Sequence, residues 1–303
     1  MARVKYGLRI PAVHPADPAD IRRFVMRAEE LNFESIWVGD HVFYPVDVIQ
    51  PLHLLTWVAA LTSRVRLGTA VMLSAYLNPV LLAKSAASLD CLSGGRLVLG
   101  MSIGGTAAEY ASIGVPMNQR VGRLLESIEI MRRLWREDGV NFEGRYHAIT
   151  DGSINPRPVQ SGGIPIYLGG IREPMLRRVA RVADGWIASA GPIPAFLAGV
   201  ETILAAAAER QRDPATLSFA KLQGVSVAAA AAQAREQGER HWKAYYGPNF
   251  NIDAATIYGT PEECAQQLAV FANAPCDEVT LVMEPAGLSL DQLEMLAQIT
   301  TGN

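Results

Sequence analysis

The sequence predicts an α/β fold, a single (β/α)8 TIM barrel with insertions after several strands. Three observations lead there. Short β-branched runs alternate with longer segments of helical period, as in βα units around a parallel sheet. Eight such runs fall near 4–11, 35–39, 65–72, 96–103, 164–170, 185–189, 217–227 and 278–283, the number that closes a barrel. A chain of 303 residues, 50% of them hydrophobic, can bury one large core without dividing.

The connecting helices carry their own start and stop signals. Asp17 and Pro18 open the segment through Phe24, Ala28 and Leu31, and Asn78 and Pro79 open the one through Leu82 and Leu89. Thr260, Pro261, Glu262 and Glu263 form a capping sequence before Leu268. Ser93, Gly94 and Gly95 tolerate the left-handed turn that ends a helix before the fourth strand. Three stretches, near 104–120, 140–163 and 228–259, exceed a minimal barrel, and the second contains a hairpin pattern around Phe142 to Tyr146. Long insertions beside barrel strands usually serve binding. The expectation is one domain, 1–303.

Composition narrows the function classes. The net charge of -3 comes from 27 basic and 30 acidic residues that are interspersed, which argues against nucleic-acid or anionic-membrane partners. Cys91, Cys264 and Cys276 have no metal-type spacing and read as reduced structural thiols. The N-terminus runs straight toward a strand, and the alanine run 228–232 is far too short to span a bilayer, so a cytoplasmic protein is expected. The histidines His14, His41, His53, His147 and His241 show no metal-ligand spacing, and no Walker or nucleophile-elbow motif occurs. By subtraction, an organic cofactor would carry any reaction.

Active groups of such a barrel lie just after the strands, at their C-terminal ends. That rule selects Asp40 and His41 after the second strand, Ser74 to Tyr76 after the third, Ile103 and Gly104 after the fourth, Gly169 to Arg172 after the fifth and Ser189 after the sixth. His41 can exchange a proton near neutral pH, or it can merely pack under a loop that Asp40 ties down. Gly169, Gly170 and Ile171 run from a strand into a helix, where bare amides can hold an anion or form a plain tight turn. Arg172 can join that anion site or pair with Glu173 or Asp184.

The run from Arg27 to His41 resembles the first helix and second strand of the luciferase-like flavin and deazaflavin oxidoreductases. The segments 64–71 and 78–84, the stretch 88–100, Glu109 and Tyr110 with 113–116, and the later pieces 165–170, 177–186 and 259–263 resemble the same family in the same order. Within it the chain is most similar to single-chain members that use coenzyme F-420, a 5-deazaflavin. The resemblance implies a bacterial-luciferase-like barrel, hydride transfer to or from an organic small molecule, and a homodimer built on helices that include Leu52, Leu54, Leu55, Trp57 and Leu61. It places His41 beside the ring, with Asp40, Ile103 and Gly104 nearby, and a non-prolyl cis peptide at Ala70 and Val71 behind it. Gly169, Gly170, Ile171 and Arg172 would receive the phosphate, with Ser189 close by. Sugar-phosphate dehydrogenases of the family carry a carboxylate and an amide where Gly105 and Ala108 stand here, so a sugar-phosphate substrate is not expected. FMN shares the ring shape and the phosphate, which makes an FMN-dependent monooxygenase the alternative and a non-catalytic flavin-binding protein the second alternative.

Overall fold

The computed structural model describes residues 1–189 and 191–301. The eight expected strands are present: β1 (Arg3–Arg9), β2 (Ser35–Val38), β3 (Arg66–Thr69), β4 (Leu97–Ser102), β5 (Ile166–Gly169), β6 (Gly185–Ala188), β7 (Ser218–Val227) and β8 (Glu278–Pro285). Each pairs in parallel with the next, and β8 returns to β1 in the register Arg3 to Glu278 and Leu8 to Met283, so the barrel is closed. Closure leaves these eight strands without an open edge.

The helix signals work as local chemistry. Asp17 accepts the Ala19 N–H, Asn78 accepts those of Val80 and Leu81, and Thr260 and Glu263 form a reciprocal capping box. Gly94 closes the helix Pro79–Ser93 at φ 70°. Residues Val140–Glu143 and Ala148–Gly152 form the expected antiparallel hairpin.

Strand alternation separates two cores. Outward side chains such as Leu8, Ile36, Leu67 and Leu99 pack under the helices in one cluster that extends from Ala2 to Ile299. Inward side chains Trp37, Ala70, Val98, Tyr167, Ile187, Ala220, Leu222 and Val282 fill the barrel. Large and small residues alternate there: a Cβ on Gly68 would fall 2.1 Å from the Trp37 ring, so the indole occupies the space that the glycine leaves.

Two elements depart from the sequence expectation. The third strand stops at Thr69 and resumes only as Met72–Leu73, paired with Met101 and Ser102, because the chain bulges at a cis Ala70–Val71 peptide. The insertion after β7 contains a helix, Ala231–Tyr246, and an extra strand, Thr256–Gly259, that adds to β7 in parallel. Trp242 of that helix fits over Gly224, where a Cβ would meet its ring at 2.8 Å, and this seats the helix across the β7 side of the mouth. Leu52, Leu54 and Leu55 of the helix Pro51–Leu61 are buried in their own chain. No helix among the described residues is long and apolar enough to cross a membrane.

Candidate active site at the barrel mouth

The bulge is the centre of the mouth. Backbone of β3 and β4 approaches so closely there that a Cβ on Gly100 would fall 2.0 Å from the Thr69 carbonyl oxygen, and the Thr69 hydroxyl donates to the Gly100 carbonyl at 2.7 Å. Val71 is thereby pushed toward β5, where a Cβ on Gly169 would meet its Cγ1 at 3.1 Å. Gly170 follows at φ 121°, a conformation that favours glycine, and its carbonyl accepts the Trp186 indole N–H at 2.8 Å. The glycine turn is therefore held from behind by a buried aromatic ring.

A cavity of about 400 Å³ opens between these pieces, within the usual size of a small-molecule site. Ala70, Val71, Ile103, Gly104, Gly169, Gly170, Ile171, Arg172 and Ser189 all line it. These are nine of the residues that the sequence selects, drawn from four separate segments. Asp40 and His41 do not line it but stand beside it. The Asp40 carboxylate accepts the Leu73 N–H at 2.9 Å and so braces the bulge; burial pushes its pKa up, against the lowering by that bond.

Arg172 resolves the choice that the sequence leaves open. Glu173 pairs with Arg177 at 3.1 Å and Asp184 with Arg132 at 2.8 Å. Both suggested partners are taken, and Arg172 makes no ion pair among the described residues. Arg120 also lines the cavity without a carboxylate partner among them. It escapes the sequence reading because it opens a helix, Arg120–Arg136, and looks like ordinary helix surface. Two guanidinium side chains and the turn that leads into the helix Glu173–Val182 thus line the same cavity, an arrangement suited to an anion.

His41 sits across the mouth. Its Nδ1 lies 3.3 Å from Glu109 Oε1, and its ring stacks on Tyr44 with centroids 4.0 Å apart. Glu109 is fully buried and accepts the N–H groups of Val42 at 2.7 Å, Phe43 at 3.3 Å and Thr106 at 2.6 Å. Burial pushes this carboxyl up, but the three backbone bonds outweigh it and hold the pKa down at about 2. Farther round, Arg9 donates to Glu284 at 2.7 Å and to the Tyr245 hydroxyl at 2.9 Å inside the barrel.

Lys221 is a further buried cation that sequence reasoning passes over. It points out of the barrel, donates to the carbonyls of Ser189 at 3.0 Å and Leu222 at 2.6 Å, and burial lowers its pKa to about 7. It therefore ties the Ser189 segment to β7. Ala190, next in the chain, lies outside the described residues.

A larger cavity, about 670 Å³, lies at the opposite pole, where Trp37, Val98 and Tyr167 form a floor under a mixed-charge rim that includes Lys5 and Glu278. The strand N-termini lie there, and function in this fold gathers at the other end. No group of metal-ligating side chains occurs among the described residues.

Closed parallel barrel, interrupted third strand and glycine turn together define a (β/α)8-barrel protein with a ligand cavity at its C-terminal mouth. Comparison with known proteins narrows the class. A sequence model of the luciferase-like monooxygenase family matches residues 4–248, and the chain belongs to that family. It is 36% identical over 197 residues to an F420-dependent glucose-6-phosphate dehydrogenase of Kineococcus radiotolerans, covering 62% of this chain and 57% of that relative. A protein of the same name from Mycolicibacterium gilvum is 32% identical over 220 residues, covering 66% of this chain and 64% of that relative. The matches thus take in less than two thirds of the relatives' own length. In fold, the chain superposes on an F420-dependent secondary alcohol dehydrogenase with a TM-score of 0.86 at 18% identity, covering 98% of each chain. It superposes on the F420-dependent tetrahydromethanopterin reductase of Methanopyrus kandleri with a TM-score of 0.80 at 22% identity, again over 98% of each.

The Glu109 carboxyl yields a test. Its pKa falls from 4.5 to about 2 on folding, a contribution of about 3 kcal/mol that is complete above pH 4.5 and fades as pH falls toward 2. Glu109→Gln is expected to lower stability at pH 7 and to flatten its decline across that acidic window, as measured by urea unfolding at stepped pH. Parallel stability curves for variant and parent would refute the assignment.

Proposed function

We propose that the chain is an oxidoreductase that uses coenzyme F-420 to move a hydride to or from an organic small molecule. The observation that carries this is the cavity itself: a backbone wall at Ala70 and Val71, a glycine turn beside it and two lining arginines without ion pairs among the described residues. The names of the relatives agree with it. Such a cavity suits a flat ring with an anionic tail, because the wall is built of main chain and small side chains and the lining carries free cations.

When bound, the deazaflavin supplies a hydride-accepting or hydride-donating ring carbon. The protein's own groups do the rest. Ala70, Val71, Ile103 and Gly104 would hold the ring, and Gly169, Gly170, Ile171, Arg172, Arg120 and Ser189 would hold the phosphate end. A carboxylate only accepts, so His41 turns its Nδ1 proton to Glu109 and leaves Nε2 to exchange a proton with the substrate. Asp40 acts through the bulge that it braces. FMN-dependent monooxygenation is the second reading, favoured by the family description and by the phosphate site that FMN would share. We further propose that residues 1–303 act as one domain and that the protein is a cytoplasmic homodimer, with the half-buried Trp57 and Leu61 at the subunit contact.

Titration of the cofactor-free protein is expected to give a Kd for coenzyme F-420 at least about tenfold below that for FMN, about 1.4 kcal/mol. Arg172→Ala should weaken F-420 by a similar factor. A preference for FMN would move the assignment to monooxygenation. His41→Ala should leave the F-420 Kd within about twofold and lower turnover by roughly 10²-fold, as expected for loss of a general acid or base; unchanged turnover would remove His41 from the chemistry.

A further inference from the structure

The two sides of the mouth differ in charge and in chemistry. On the cavity side stand Arg120 and Arg172, both without ion pairs among the described residues. On the His41 side the nearby cations are already matched. Arg9 is held by Glu284, and on the helix Ala231–Tyr246 the cations all face carboxylates: Arg235 pairs with Glu239 and Asp253, Arg240 with Glu236, and Lys243 with Glu239. His41, if protonated, faces the buried Glu109. A phosphate entering here would lose water without gaining a free cation.

What the His41 side offers instead is a ladder of contacting aromatic rings, buried at Tyr245 and open at its flanks. His41 stacks on Tyr44; Tyr44 meets Tyr245 at 4.6 Å, Tyr245 meets Tyr246 at 4.6 Å, and Tyr246 stacks on Phe250 at 4.7 Å. The ladder joins the loop after β2 to the end of the helix Ala231–Tyr246, and the Arg9 bond to Tyr245 pins the helix end to the barrel. Three apolar or aromatic side chains around it remain open to solvent, Val42 at 48%, Phe43 at 52% and Tyr246 at 40%. The backbone of Val42 and Phe43 is fixed by Glu109, so their exposure comes from a held loop. Large exposed hydrophobics gathered on the loop that follows β2 and on the helix end packed against it mark a binding surface.

We propose that this side takes the substrate and selects an uncharged aromatic compound over a sugar phosphate. The proposal rests on the oxidoreductase reading above and gives it a substrate class. Contacts with the exposed Phe43 and Tyr246 rings and the half-buried Tyr44 ring supply affinity; matched charges supply none to an anion.

The test is calorimetric titration of the protein loaded with coenzyme F-420, using 1-(2-naphthyl)ethanol and glucose 6-phosphate as probes. The naphthyl alcohol is expected to bind at least about tenfold more tightly than the sugar phosphate. Phe43→Ser and Tyr246→Ser, both at exposed positions, should each weaken it by about fivefold or more while the F-420 Kd stays unchanged; Phe43→Ser, outside the ring ladder, should also leave the melting temperature unchanged. Leu92→Ser, an exposed apolar position at the C-terminal end of the helix Pro79–Ser93, should change neither. Tighter binding of glucose 6-phosphate, or naphthyl binding that ignores both mouth variants, would overturn the proposal. A chain that fails to take up F-420 reveals the failure of the parent reading separately. The same two probes titrated into cofactor-free protein then test the mouth, with the same result expected and the same results overturning the proposal.

Discussion

One buried carboxylate organises the mouth of this barrel. Glu109 gathers the N–H groups of Val42, Phe43 and Thr106 and stands against His41, so the loops after β2 and β4 share one charged anchor. The loop from Asp40 to Gln50 has no helix or strand of its own to define it. Charge-assisted bonds to backbone are among the stronger hydrogen bonds available to a protein, and here they replace secondary structure. Asp40 extends the same logic to the bulge through Leu73. Without that pair of carboxylates, the aromatic ladder and His41 would have no fixed position relative to the cavity wall.

The rest of the site follows from backbone proximity. Glycines at 100, 169 and 170 let the interrupted third strand, the fourth strand and the fifth-strand turn come together where side chains would collide. The resulting wall is made largely of main chain and small side chains, which suits a flat ring better than a flexible chain. Charge then distinguishes the sides: Arg120 and Arg172 line the cavity without carboxylate partners among the described residues, whereas Arg9 on the first strand is neutralised by Glu284.

Much of this was legible in the residues, and the illegible parts share a cause. Strands are visible because β-branched runs of the right length are local features, and the active-face rule selects Gly104, Gly169, Arg172 and Ser189, which line one cavity, and His41, which stands beside it. The cis peptide at Ala70 and Val71 came through family resemblance, since nothing in those two residues alone requires it. Partnerships were hidden by distance along the chain. Glu109 lies 68 residues from His41 and Glu284 lies 275 from Arg9, and no periodicity connects them. The strand Thr256–Gly259 was missed because four residues inside an insertion carry too weak a pattern. The status of Arg172 needed the structure, because it depended on whether Arg177 and Arg132 had already taken its candidate partners.

On the reading proposed above, the smaller cavity at the strand C-termini, and not the larger one at the opposite pole, receives the cofactor. Hydrogen–deuterium exchange with and without saturating coenzyme F-420 tests it most directly. Slowed exchange is predicted at 70–73, 102–104 and 169–172, with residues around Lys5, Glu34 and Asp213 at the other pole unchanged. Protection confined to that pole, with the bulge and the glycine turn unaffected, would contradict it.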